Sequence, residues 1–189
     1  DRAFADLLAR DVRDLVIDLR GNEGGGNVGS ALLARLIETP TTMAISTRSV
    51  RYRRVPDALR ANLSTWDKSF YDWGEMAVGP ENGFYRLTKY DTGKAGIVVA
   101  PIAPRFAGRI WVVVGPDNSS ATFEFAQAVQ LRKIGTLVGE PTGGNQRGIN
   151  GGAFFFMTLP GSGIELDVPL IAQFPETPMP DAGLLPDLT

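Results

Sequence analysis

The sequence predicts an α/β fold, and three observations carry that expectation. Two β-branched runs are each followed by a glycine- or serine-bearing turn and an apolar helical repeat, and a third strand-sized run is closed by a long glycine-rich loop. Strands and helices alternating in this way form a mixed sheet flanked by helices. If the sheet is largely parallel, the three turns gather at the carboxyl ends of its strands.

Phe4, Leu7, Leu8 and Val12 recur at helical spacing, so the chain opens on a helix. Residues 14–20 (DLVIDLR) read as a buried strand, 21–27 (GNEGGGN) as a loop, and 31–38 (ALLARLIE) as a short helix stopped by Thr39 and Pro40. Residues 41–55 alternate loosely, an extended segment bearing Arg48, Arg51, Arg53 and Arg54. Residues 56–73 are compatible with helix and 79–107 are rich in glycine, proline and charge, so the stretch of about 40–105 reads as an irregular insertion or lid. Residues 109–114 (RIWVVV), closed by Gly115 and Pro116, read as a strand buried on both faces. Phe123, Ala126 and Val129, with Phe125 and Ala128 beside them, mark a helix from 120 to 132. A short strand at 136–138, a loop over 139–152, a strand pair at 153–159 and 164–174, and a proline-rich tail complete the chain.

At 189 residues and 43% hydrophobic content, the chain can bury one good core, which makes one domain the default. A net charge of −2 gives no electrostatic footprint for nucleic acid or an anionic membrane. No apolar run approaches the roughly 20 residues that cross a bilayer, and no signal peptide opens the chain. Without cysteine there are no disulfides or thiolate metal sites, which fits a cytosolic or a periplasmic address equally. Histidine is absent too, removing the commonest general base and the commonest metal ligand, so no metal or cofactor is assigned. The start at Asp1, with the first strand only about a dozen residues in, reads as a fragment of a longer protein.

Ser120 sits where the strand at 109–114 gives way to the helix at 120–132. Unpaired N–H groups and the positive end of the helix dipole gather there and favour negative charge near its hydroxyl. The plainer reading makes Ser119 or Ser120 a helix cap, although a capping box from Ser120 would want Glu or Gln where Phe123 stands. Gly24 to Gly29 satisfies G-x-G-x-x-G, but residues 20–23 separate it from the strand and no acidic residue lies at 46–51, where a dinucleotide fold would place one. A tight turn using glycine for its dihedral freedom, or an oxyanion site built from unobstructed backbone N–H groups, are its other readings. The 139–152 loop holds six glycines in fourteen residues, a length that marks functional or disordered loops.

Taken in order, 15–25 (LVIDLRGNEGG), 120–126 (SATFEFA), 137–145 (LVGEPTGGN) and 183–187 (GLLPD) resemble the C-terminal-processing, or tail-specific, serine peptidases. The resemblance implies a ClpP/crotonase-like core, a partial catalytic domain over 1–189, and hydrolysis of peptide bonds in unstructured polypeptides or protein C-termini. It makes Ser120 the nucleophile, and the N–H of Ala121 with that of Gly24 or Gly25 the oxyanion donors. Members with a Ser-Lys dyad carry lysine after G-E-x-T-x-G, where this chain has Asn145; Lys133 at the end of a helix is a candidate substitute, whose plainer reading is a solvated cation complementing the helix dipole. The sequence GGN at 143–145 is similar to the tricorn-like branch, whose histidine base comes from a segment well before the D-L-R-G-N strand and whose late acidic residue would correspond to Glu176. That branch places the base outside this chain. Retinoid-binding repeats that share the fold imply a noncatalytic binding module as the alternative. The resemblance also implies a bacterial periplasmic or envelope address, and leaves the oligomeric state open.

Overall fold

The β-branched runs pair side by side, because branched side chains fit a pleated surface and lose less there than in a helix. The computed structural model describes residues 2–26, 28–43, 46–90 and 97–189. Asn27 of the glycine loop, residues 44–45 of the extended segment and residues 91–96 of the insertion lie outside the described residues. In chain order the elements are α1 (Arg2–Ala9), β1 (Asp14–Asp18), α2 (Gly29–Leu33), β2 (Thr41–Thr42), β3 (Ser46–Val50), α3 (Asp57–Arg60), β4 (Leu63–Ser64), β5 (Ala77–Glu81), β6 (Phe84–Leu87), β7 (Val98–Val99), β8 (Arg109–Val114), α4 (Ser120–Leu131), β9 (Thr136–Gly139), β10 (Ile149–Thr158) and β11 (Glu165–Pro175). They divide into two compact units, one of Asp1–Ile45, Lys94–Arg147 and Pro178–Thr189, the other of Ser46–Gly93 and Gly148–Thr177.

In the first unit β1, β8 and β9 form a parallel sheet in the order β1-β8-β9, with Val16 opposite Trp111 and Trp111 opposite Thr136. Helix α4 is the crossover from β8 to β9, and it packs against α2. Ile110, Val112, Val114 and Leu137 are buried, as are Phe123, Phe125, Ala126 and Val129 of α4. Each of the valine, leucine, isoleucine and phenylalanine side chains stabilises the fold by about 1.5–3 kcal/mol relative to exposure. Burial alternates along β1 and β8 rather than running unbroken, which corrects the expectation of strands covered on both faces. Val16 is 61% exposed, on the more open face of β1, which stands at the end of the strand order.

Residues 181–188 run beside β9 and complete this unit. Gly139 N–H donates to Leu188 O (2.9 Å), and Leu188 N–H donates to Leu137 O (3.1 Å). The Asp187 carboxylate accepts from Leu137 N–H at 2.8 Å. This gives the late P-D pair a physical purpose: proline ends one extended stretch, and aspartate satisfies a strand donor that the sheet leaves unpaired.

The second unit is a six-stranded sheet in the order β4-β10-β11-β3-β6-β5, antiparallel at every pairing. Its core gathers Val50, Phe70, Trp73, Leu87, Phe155 and Ile171. Residues 56–73 are not one helix. They hold the single turn α3, the short strand β4 and one 3-10 turn at Lys68–Tyr71, because β4 pairs with β10 while Phe70 and Trp73 are buried in this core and the Tyr71 ring lies 4.9 Å from that of Phe155. The glycine loop also ends earlier than expected: residues 149–152 belong to β10, which takes up Gly152 and Ala153 in a register shift between Gly151 and Phe154.

Replacing Asp187 with Ala should lower stability by about 1–3 kcal/mol, since Leu137 N–H loses its acceptor. Urea unfolding should show a lower midpoint at unchanged slope.

Candidate active site

The three turns meet as the sheet order requires, for β1, β8 and β9 run parallel and adjacent. Beyond their carboxyl ends lie the glycine turn after β1, the Gly115–Ser119 turn after β8, and residues 140–147 after β9. All three belong to the first unit.

Asn118 joins them. Its side chain is fully buried. Its Oδ1 accepts from Gly115 N–H at 2.8 Å, while its Nδ2 donates to Leu19 O and to Asn22 O (3.1 Å). Its backbone carbonyl accepts from Gly144 N–H at 2.9 Å. Four bonds from one residue therefore hold the ends of all three turns, and each satisfies a polar group that would otherwise be costly to bury.

Ser120 follows in a left-handed backbone conformation, φ +49°, which costs a non-glycine residue on the order of 1–3 kcal/mol. The helix cap position is held by Ser119, in extended conformation and without a side-chain capping bond. The Ser119 hydroxyl instead donates to Glu23 O at 2.7 Å. Neither serine therefore caps α4 through its side chain. Ala121 N–H lies in the first helical turn, among the donors that a helix leaves unpaired.

Gly24 and Gly25 both have positive φ, +112° and +117°. A Cβ on Gly24 would stand 2.7 Å from Ser120 Cβ and 3.2 Å from Ala121 N, so only glycine brings this turn against the serine. Gly24 N–H is taken by Asn22 Oδ1 at 3.0 Å. Gly25 faces open space.

Of the remaining sequence-predicted residues, Asn145 is committed elsewhere. Its Nδ2 donates to Asp181 Oδ1 at 2.7 Å, and its Oδ1 accepts from Arg147 N–H at 2.8 Å. Arg147 also pairs with Asp181 at 2.6 Å. The bond from Asn145, then the bond and charge of Arg147, hold the Asp181 carboxyl below its ordinary value of 3.8. Lys133 stands past the opposite end of α4 from Ser120, about 20 Å away along the helix, so it is no base for that hydroxyl. Glu176 lies exposed just after β11 in the second unit. At the end of β1, Arg20 grips Asp18 with two side-chain bonds of 2.7 and 3.0 Å and a backbone bond, pulling that carboxyl down to about 2. Among the described residues no group of three or more His, Cys, Asp or Glu is arranged to hold a metal ion.

Sequence reasoning missed the polar brace. Asn22, Asn118 and Thr122 carry no signal of periodicity, and each joins backbone segments about 100 positions apart. The only available cue was that asparagines flank both turns, where this residue type habitually binds backbone.

The sequence model of Peptidase family S41 matches residues 1–169. Among solved structures, a candidate peptidase from Parabacteroides merdae is 18% identical with a TM-score of 0.52, and the match covers 99% of this chain and 48% of that one. Mature CPAF complexed with lactacystin is 16% identical with a TM-score of 0.58, over 99% of this chain and 42% of that one. At these identities the likeness is one of fold, and the chain spans less than half the length of either structure. No curated protein matches it in sequence.

Two outcomes test the site's geometry. Gly24→Ala should destabilise the first unit by about 1–3 kcal/mol, from overpacking and from the positive φ, measured by urea unfolding. Because the native Asp181 carboxyl is lowered, its contribution is present above the unfolded value and disappears as pH falls through the native value. Carbon-detected titration of Asp181 should show a midpoint below 3.8 that returns toward it in an Asn145→Ala variant.

Proposed function

The chain belongs to peptidase family S41, and from that premise we propose that it is the core of a serine peptidase that hydrolyses peptide bonds of unstructured polypeptides or protein C-termini. The observation that carries this reading is Ser120 itself: a serine freed from capping, held in a strained conformation at a helix N-terminus, with a glycine turn pressed against it. Strain of this kind is retained where a side chain must be presented in one direction.

The proposed reaction follows from the groups present. Ser120 Oγ attacks the scissile carbonyl carbon and gives its proton to a general base. The carbonyl π electrons move to oxygen, and the oxyanion accepts hydrogen bonds from Ala121 N–H and from the glycine turn. Gly25 N–H is the favoured second donor, because that of Gly24 is already bonded to Asn22. Collapse of the tetrahedral intermediate expels the amine, protonated by the conjugate acid of the base, and leaves an acyl group on Ser120. Water then releases it by the reverse sequence. Asn145 cannot take a proton, and its carboxamide is held by Asp181 and Arg147. The base is therefore assigned to a segment outside these 189 residues, a histidine as in the tricorn-like branch, with Glu176 as a candidate supporting carboxylate. The same reading carries the ClpP/crotonase-like core, the partial catalytic domain and the periplasmic or envelope address.

A second reading, a noncatalytic binding module of the same fold, is favoured by the absence of histidine and the engaged Asn145. The full-length protein separates the two. It should hydrolyse an unstructured peptide and become labelled at Ser120 by a serine-directed phosphonate, and Ser120→Ala should abolish both. Equal turnover by wild type and variant, or no labelling of wild type, would overturn the peptidase reading.

A further inference from the structure

Two successive glycines at positive φ give the turn after β1 little stiffness of its own, since glycine has many backbone states to lose. A donor in an oxyanion hole must nevertheless be held to within about 0.5 Å, and misplacement by about 1 Å can cost roughly 10²-fold in rate. The stiffness has to come from neighbouring side chains. One carboxamide oxygen, Asn22 Oδ1, accepts both Gly24 N–H (3.0 Å) and the Thr122 hydroxyl (2.8 Å). Thr122 is 7% exposed and sits two residues after Ser120 on α4, so its hydroxyl is fixed to the same rigid turn as the nucleophile and Ala121 N–H. The Ser119 hydroxyl on Glu23 O supports the turn from the other side.

We infer that Thr122, acting through Asn22, is a positioning residue for hydrolysis: it locks the Glu23–Gly24 peptide, and with it the start of the glycine turn, relative to Ser120 so that both oxyanion donors face one point. This inference rests on the peptidase reading. The Thr122 hydroxyl touches neither substrate nor reacting atoms. Its effect passes through Asn22 Oδ1, whose bond to Gly24 N–H also keeps that donor away from the oxyanion and leaves Gly25 N–H to serve.

The test uses the full-length protein with an unstructured peptide substrate and a peptide boronate as mimic of the tetrahedral state. Thr122→Val, of nearly the same shape, should lower kcat and kcat/KM together by about 10–100-fold with KM unchanged, and boronate affinity should fall by a similar factor. Thr122→Ser, which keeps the hydroxyl, should recover most of the loss, and Asn22→Leu should reproduce it. Amide exchange at Gly24 should quicken at least about tenfold in Thr122→Val while the α4 amides keep their protection. Wild-type kcat in Thr122→Val, or a rise in KM alone, overturns the positioning role while leaving the peptidase reading intact. A loss that tracks lowered melting temperature equally in Val and Ser variants also overturns it. Wild-type protein that neither cleaves the peptide nor reacts with a phosphonate overturns the peptidase reading and the inference with it.

Discussion

The site depends on a single buried carboxamide. Asn118 carries one acceptor and two donors on a planar group, and in the first unit they reach the turn after β8 and the end of β1, while its own carbonyl reaches the loop after β9. No apolar side chain could do this, because the groups it satisfies are backbone N–H and C=O at strand ends, where the ladder has stopped supplying partners. A parallel sheet makes the arrangement necessary, since it brings three chain reversals to one edge and leaves polar ends on each. The glycines answer a matching steric demand. Gly143 and Gly144 lie so close to the Pro116 carbonyl and the Phe123 ring that a Cβ would collide with them. Polar satisfaction and close backbone approach thus fix one geometry between them, and the conformation of Ser120 is its result.

Much of this was legible in the sequence. Strands made of valine, isoleucine and tryptophan, and a helix with Phe123, Ala126 and Val129 on one side, are local patterns, and β1, β8, α4 and β9 follow them. The placement of Ser120, Gly24 and the 139–147 loop at one sheet edge followed from element order alone. Residues 56–73 were less legible, because their aromatic side chains pack across a sheet whose partner strands, β10 and β11, lie far along the chain. The burial of β1 was misread because Val16 has the composition of a core residue, while only the tertiary structure shows that its face of the strand is open. The brace was illegible because a hydrogen bond between Thr122 and Asn22 leaves no periodic trace in either segment.

The departure at Asn145 has a structural logic. Where the dyad members of the family carry a lysine, this chain has a carboxamide that ties the loop to Asp181 and Arg147. A cation in that place would meet Arg147 and compete with it for one carboxylate, whereas a neutral amide accepts from one neighbour and donates to the other. The loop is shaped by a neutral bridge.

The backbone of Ser120 also sets which residues this position accepts without a change of shape. Glycine adopts φ +49° with least strain and asparagine with little more, whereas a β-branched side chain there would be a genuine outlier. Dihedral and hydroxyl thus pull in opposite directions, since the residues that fit this conformation best carry no hydroxyl at all.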